Sequence, residues 1–218
     1  MRPWFAIASF SIISVGCGLT PTENSSEKII INESDLSYYT EDNQISRSIG
    51  KMRKGCTVTH IGQNLAITAG HCVRYGHCEG SNYDVAWNYR ANTKETYTSQ
   101  CKRIVIWEFS DDMDYAVLEY SNAPSDSLNP NASSRPRYSD YLTIFSHPEG
   151  QPLMWSNWCQ HDGDDMGKRF SYQCDTKGGS SGAAVLNENL EIVGIHNQGN
   201  YGKRVNSGTY LIDIKAFQ

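Results

Sequence analysis

Short apolar or alternating runs recur along most of the chain, at 56–61, 65–69, 83–89, 104–107, 115–120, 142–146, 153–158, 183–186, 192–196 and 209–212. They are rich in Val, Ile, Tyr and Trp, are bounded by Gly, Asn, Asp and Pro, and none sustains a 3.6-residue period. This pattern predicts an all-β protein. Only 213–218 reads as a closing helical turn. Between Ser121 and Ser139 a stretch of Ser, Asn, Pro, Asp and Arg has no strand character. It divides the strands into two groups of similar size, as a linker between two barrels would. The expected organisation is a first β-unit over 50–122, a linker over 123–139, and a second β-unit with a short terminal helix over 140–218. Two packed β-units leave a groove between them, where sites tend to form.

The beginning of the chain breaks this pattern. One positive charge, Arg2, precedes an apolar run over 4–15 and the small residues Gly16 and Cys17. The run is too short to span a bilayer and lacks the amphipathic period of a buried helix, so residues 1–17 read as a signal peptide. The stretch Ser14-Val15-Gly16-Cys17 resembles a bacterial lipobox, in which the cysteine is acylated; Ser14 stands where Leu is usual, which keeps secretion after Gly16 as the alternative. The protein is therefore expected to be secreted, or held at a periplasmic or outer-membrane surface by a lipid anchor on Cys17. Residues 18–49 are rich in Ser, Thr, Asn, Glu and Asp with one short apolar island, Ile29-Ile30-Ile31, and read as a tether or propeptide followed by the start of the mature chain.

Composition narrows the function classes. With 39% hydrophobic and 20% charged residues, a 218-residue chain buries a real core and is neither disordered nor collagen-like. Nineteen basic against 24 acidic side chains give a net charge of −5 without any basic block, which argues against a nucleic-acid partner. Setting Cys17 aside leaves six of the seven cysteines, an even number suited to disulfides in an exported chain. His71-Cys72 with His77 and Cys78 is the one zinc-like cluster, but it lacks the separated ligand pairs of a zinc site, and neither a metal nor another cofactor is expected.

Three stretches carry the chemistry: Thr68-Ala69-Gly70-His71-Cys72 after one strand, Asp111-Asp112-Met113-Asp114-Tyr115-Ala116-Val117-Leu118 running into another, and Asp175-Thr176-Lys177-Gly178-Gly179-Ser180-Ser181-Gly182 before a third. Singly, each has a bland reading as a loop or turn. In that order they resemble the chymotrypsin-like serine proteases, in which a His, an Asp and a Ser act together in peptide-bond hydrolysis. The resemblance extends over most of the chain beyond residue 50. The His71-to-Asp114 interval is 43 residues, and the Asp114-to-Ser181 interval of 67 is short, as in compact bacterial members. Gly179-Ser180-Ser181-Gly182, the Asp175-Thr176 pair ahead of it, Gly194-Ile195-His196 and the run from His147 to Pro152 are most similar to bacterial glutamyl endopeptidases.

The resemblance implies two antiparallel Greek-key β-barrels with the active site between them. It implies Ser181 as nucleophile, His71 as the base that takes its proton, and Asp114 as the carboxylate that orients the imidazole. Asp111 and Asp112 are rivals by composition, but only Asp114 immediately precedes the Tyr-Ala-Val-Leu strand. The backbone N–H groups of Gly179 and Ser181 are the implied oxyanion hole. Ser180 stands where trypsin-like zymogens have an aspartate, so activation through an ion pair at that position is not available; cleavage after Lys28 is an alternative maturation. The implied disulfides are Cys56–Cys72, Cys78–Cys101 and Cys159–Cys174.

Substrate preference is divided. Asp175 stands six residues before the nucleophile, where trypsins bind Lys and Arg, whereas Thr176 and His196 match the carboxylate-binding positions of the glutamyl branch. Lys177 replaces the cysteine that a trypsin pocket wall needs, which favours acidic residues before the scissile bond over basic ones. The expected protein is a monomeric, cofactor-free serine endopeptidase acting on polypeptides. The alternative from another class is a protease-fold binding protein or adhesin with little turnover.

Overall fold

The computed structural model describes residues 30–73, 77–78, 80–93 and 96–218. The signal peptide, Cys17 and the bond after Lys28 lie outside the described residues. The first half contains β1 (Ser37–Tyr38), helix α1 (Gln44–Ser48), β2 (Ile49–Met52), β3 (Thr57–Gly62), β4 (Leu65–Thr68), β5 (Val85–Trp87), β6 (Tyr97–Ser99), β7 (Cys101–Phe109) and β8 (Asp114–Tyr120). The second contains β9 (Tyr141–Ser146), β10 (Met154–Met166), β11 (Arg169–Tyr172), β12 (Ala184–Leu186), β13 (Ile192–Asn200) and β14 (Val205–Tyr210).

These strands form two sheets, and every named strand pair is antiparallel. One sheet runs β6-β5-β2-β3-β4-β8-β7 and curls into a half-barrel. The other runs β10-β11-β14-β13-β12-β9 and closes through a further β9–β10 pairing. This is the two-barrel, chymotrypsin-like architecture. β1 belongs to the second sheet despite its place in the chain, pairing Ser37 with Trp155 and Tyr38 with Met154. The polar segment before the first barrel is thus docked across the second from Ile31 onward, where the Ile31 and Asp35 N–H groups donate to Asp175.

The alternation of side chains along a strand explains how one sequence serves two cores. In β8, Ala116, Leu118 and Tyr120 face the interior of the first barrel beside Val58, Val85 and Trp87. Tyr115 and Val117 point the other way, into a cluster that also contains Phe145, Ala184, Leu186 and Ile195 from the second barrel. β12 does the same in mirror fashion, with Val185 in the second barrel's own core and Ala184 and Leu186 in the shared layer. Each fully buried Val, Leu or Ile contributes about 1.5–3 kcal/mol, so this shared layer holds the barrels rigidly together. The ends of β4, β8, β12 and β13 therefore keep a fixed relation across the interface.

Disulfides join Cys56 to Cys72, Cys78 to Cys101 and Cys159 to Cys174. Closing loops of 15 to 23 residues in this way is worth about 3 kcal/mol each by the loop-entropy model. The expected closing helix is replaced by two 3₁₀ turns, Leu211–Asp213 and Lys215–Phe217. Ile214 between them is extended, at φ −86° and ψ 116°, and fully buried; seating its side chain in the shared core interrupts the helix. Among the described residues no helix is long and apolar enough to cross a membrane.

Candidate active site

His71 lies in a 3₁₀ turn, Gly70–Val73, directly after β4. The turn passes so close to β7 that a Cβ on Gly70 would collide with the Glu108 carbonyl. The Cys56–Cys72 disulfide ties the turn to β3 and brings the Cys72 sulfur 3.9 Å from the carbonyl oxygen of Ser181. The glycine-flanked serine loop is thereby fastened to the histidine loop, and Thr57 reinforces it: its N–H donates to the Ser181 carbonyl at 2.9 Å and its hydroxyl to the Gly179 carbonyl at 2.8 Å.

Asp114 opens β8 and is almost wholly buried. One carboxylate oxygen accepts a hydrogen bond from His71 Nδ1 at 2.7 Å and the other from the His71 backbone N–H at 2.9 Å. An ionised carboxylate can only accept, so the ring proton sits on Nδ1 and Nε2 is left with its lone pair, the form a general base requires. Asp111 and Asp112 are exposed, so Asp114 alone of the three meets the imidazole.

Two residues that sequence reasoning missed hold Asp114 in place. Thr209 Oγ1 accepts from the Asp114 N–H at 3.2 Å and donates to Asn197 Oδ1 at 2.8 Å, while Asn197 Nδ2 donates to the Asp114 carbonyl at 2.7 Å. Asn197 also links acid to nucleophile, because its backbone carbonyl accepts the Ser181 hydroxyl at 3.3 Å. This is the hydroxyl's one hydrogen bond among the described residues, so in this resting arrangement it is not bonded to His71. Thr209 is 95 residues from Asp114, and no local pattern marks the pair.

Ser180 and Ser181 are separated clearly. Ser180 is fully buried and shares a hydrogen bond of 2.9 Å with Ser146, whereas Ser181 is partly exposed. The neighbour of the candidate nucleophile is thus a neutral hydroxyl pair, Ser180 with Ser146. The two candidate oxyanion donors are oriented through the far edges of their own peptide units. The Gly178 carbonyl accepts from the Glu149 N–H at 2.5 Å, and the Ser180 carbonyl accepts from the Ala183 N–H at 3.0 Å. In a planar trans peptide the C=O and N–H point in opposite directions, so the Gly179 and Ser181 N–H groups are turned away from these anchors. Among the described residues neither has an acceptor. Gly179 takes a left-handed backbone at φ +97°, which a side chain would strain.

The specificity candidates are placed very differently from one another. Both Asp175 oxygens are occupied by the chain itself, accepting from the N–H groups of Ile31 at 2.7 Å and Asp35 at 2.8 Å. Burial raises its pKa, and the two backbone donors oppose that shift. The carboxylate is capped by the docked N-terminal segment and is not free to receive a basic side chain. Thr176 is buried and its hydroxyl donates to Asn206 Oδ1 at 2.9 Å, so its proton is already committed. His196 is buried beside the triad, with Nδ1 2.6 Å from the Tyr172 hydroxyl. Burial first, and then the charge His71 can carry, depress its pKa to about 3, which keeps the ring neutral. Lys177 pairs with Glu149 at 3.7 Å across the turn that holds the oxyanion loop.

One further cluster has metal-like proximity, since the ligand atoms of Cys56, His71 and Cys72 lie within 4.8 Å of one another. Its two sulfurs are bonded to each other and offer no thiolates.

The family model for the trypsin-like peptidase domain matches residues 55–195, and the chain belongs to that family. It is a serine-type endopeptidase. Among solved structures, a Glu endopeptidase is similar at TM-score 0.65 and 21% identity, covering 87% of this chain and 95% of that one. A thermostable serine protease, AL20, from an extremophilic microorganism is similar at TM-score 0.61 and 20% identity, over 76% of this chain and 92% of that one. The VesB protease of Vibrio cholerae is similar at TM-score 0.65 and 14% identity, over 82% of this chain and 64% of its own. No curated protein matches the sequence.

Proposed function

We propose that this endopeptidase works through an acyl-enzyme on Ser181 and prefers Glu or Asp before the scissile bond. The hydroxyl turns from the Asn197 carbonyl to His71 Nε2, which takes its proton as the oxygen attacks the substrate carbonyl. Asp114 stabilises the imidazolium, and the N–H groups of Gly179 and Ser181 receive the tetrahedral oxyanion, each worth about 3 kcal/mol. His71 then delivers the proton to the leaving amine, and water completes a second, symmetrical cycle.

The observation that carries the acidic preference is the capping of Asp175. A carboxylate that already accepts two backbone hydrogen bonds gains little from a lysine or arginine, and removing it from those donors has a cost. His196 is then the polar group left to meet a substrate side chain, and a charge-assisted N–H···O bond to a carboxylate contributes about 1.5–3 kcal/mol. Export to an oxidising compartment is part of this reading, supported by the three disulfides, with polypeptides as substrates and a monomer as the working unit. Anchoring through Cys17 is a separate proposal, tested by mass measurement of the mature N-terminus.

Matched peptides ending in Glu, Arg or Phe before a chromogenic amide test the preference, with His196→Ala assayed alongside. Glu is expected to be cut fastest, and His196→Ala to lose that advantage; preference for Arg overturns the assignment. A second reading, a protease-fold binding protein with little turnover, is favoured by one observation, the resting bond from Ser181 to Asn197 in place of one to His71. Turnover of any of the three peptides decides against it.

A further inference from the structure

The face that His196 shows to a substrate depends on a residue outside the triad and outside the nucleophile loop. Tyr172, on β11, is fully buried, and its phenol lies 2.6 Å from His196 Nδ1. This is the phenol's one hydrogen bond among the described residues. Burial holds the Tyr172 hydroxyl well above its ordinary pKa, so it keeps its proton. A buried O–H requires an acceptor, and the one available is Nδ1. Nδ1 must therefore be bare, and the single proton of the neutral ring must sit on Nε2.

The opposite nitrogen is placed to use that proton. Nε2 of His196 has no partner among the described residues, yet it is not among their buried orphan atoms, which include Nε2 of His60 and of His147. It therefore keeps a small accessible surface, although the residue as a whole is only 3% exposed. Its backbone places His196 beside the serine turn: its N–H donates to the Ala183 carbonyl and its carbonyl accepts from the Gly182 N–H, both at 2.8 Å. A neutral imidazole with Nε2–H can only donate at this edge, so it accepts a carboxylate or an amide oxygen and has nothing to offer an ammonium or guanidinium. The other tautomer would present a lone pair and reverse the selection.

We propose that Tyr172 is a positioning residue for substrate selection: its hydroxyl fixes His196 as a hydrogen-bond donor toward the substrate's side chain, so that a carboxylate is accepted and a cation refused. This inference rests on the proposed acidic preference and adds the residue that sets its sign. Tyr172 itself touches neither the substrate nor the reacting atoms. Its ring also packs against Phe170, with centroids 5.3 Å apart, a contact that phenylalanine would keep.

The test uses the full chain in two measurements. In the first, ¹⁵N-histidine spectra of the wild type, assigned with His196→Gln, report which His196 nitrogen carries the proton; the expected pattern is Nε2–H. In the second, wild type and Tyr172→Phe are compared on peptides ending in Glu, Gln, Arg and Phe. The variant is expected to lose about two- to fivefold in kcat/KM on Glu, mainly through KM, because without the phenol only a fraction of the rings carries Nε2–H, with the Phe peptide unchanged. A wild type with the proton on Nδ1 overturns the proposal, and it does so even if Tyr172→Phe fails to fold. An unchanged Glu-to-Phe ratio in a folded variant also overturns it. A wild type that prefers Arg while His196 carries its proton on Nε2 instead refutes the acidic preference and leaves the tautomer assignment standing, so the two failures are distinguishable.

Discussion

Replacing Gly179 with alanine perturbs the site at one peptide unit. A Cβ there would lie 2.6 Å from the His147 carbonyl oxygen, 3.0 Å from the Glu149 nitrogen and 3.1 Å from the Gly55 carbonyl oxygen. All three are backbone atoms, two in the turn at 147–149 and one at Gly55, so no flexible side chain can yield. The φ of +97° adds strain of about 1–3 kcal/mol for any residue with a Cβ. The least costly relief is rotation of the peptide between Gly178 and Gly179. That breaks the bond from Glu149 N–H to the Gly178 carbonyl and swings the Gly179 N–H out of the hole. Losing one of two oxyanion donors lowers kcat by about 10²- to 10³-fold while KM changes little, and the Ser181 N–H sustains the residual rate. The assay is steady-state kinetics on an ester and an amide, with thermal unfolding to establish that the variant is folded. A folded Gly179→Ala enzyme with kcat within threefold of wild type would mean that the hole is not held by this peptide.

Other consequences concern buried groups away from the nucleophile. His147 is fully buried, and burial, followed by the nearby Lys51 charge, depresses its pKa to about 4 against a backbone hydrogen bond that opposes the shift. The unfolded chain therefore binds more protons between pH 6.5 and 4; stability is full above about 6.5 and falls by roughly 3 kcal/mol as pH drops to 4 through this residue alone. Urea unfolding across that range should show the loss, and a folded His147→Phe variant should make it shallower by about this amount, the depressed pKa of His196 sustaining the remainder. Asp175→Asn removes one of two acceptors from the docked segment and should free residues 31–35 to limited proteolysis while activity on Arg peptides stays low; a gain of Arg cleavage would contradict the capping argument. Thr209→Val deletes the hydroxyl that supports Asp114 and Asn197, and should reduce kcat about five- to tenfold with little change in KM, as measured on the Glu peptide.

The strands that could be read from the chain are those with apolar residues on both faces. Tyr115 to Tyr120 feeds the first barrel and the shared layer at once, and a run so continuous stands out. β11 escaped notice because only Phe170 and Tyr172 face inward in a polar neighbourhood, and α1 because its signal is one capping box, Asn43 with Ser46. The His71, Asp114 and Ser181 stretches were legible because each carries local constraints: a glycine for close passage, an acidic strand start, and a glycine-flanked turn. What supports them was not. The bonds from Thr209 to Asp114, from Ile31 to Asp175 and from Tyr172 to His196 span 95, 144 and 24 residues, and only the folded chain brings those partners together. The capping of Asp175 shows the consequence: sequence position suggested a substrate-binding carboxylate, and the fold uses it to hold its own backbone.

The proposed mechanism rests on one transfer: His71, whose Nδ1 is held by Asp114, takes the proton of Ser181. A fluorophosphonate probe, with intact-mass and peptide-mass analysis of the product, reads it out without an intervening assumption about substrate. One adduct per active chain is expected, located on Ser181, absent in Ser181→Ala and formed far more slowly in His71→Ala. A folded wild-type protein that stays unlabelled, or that carries the adduct on Ser180, would be incompatible with this mechanism.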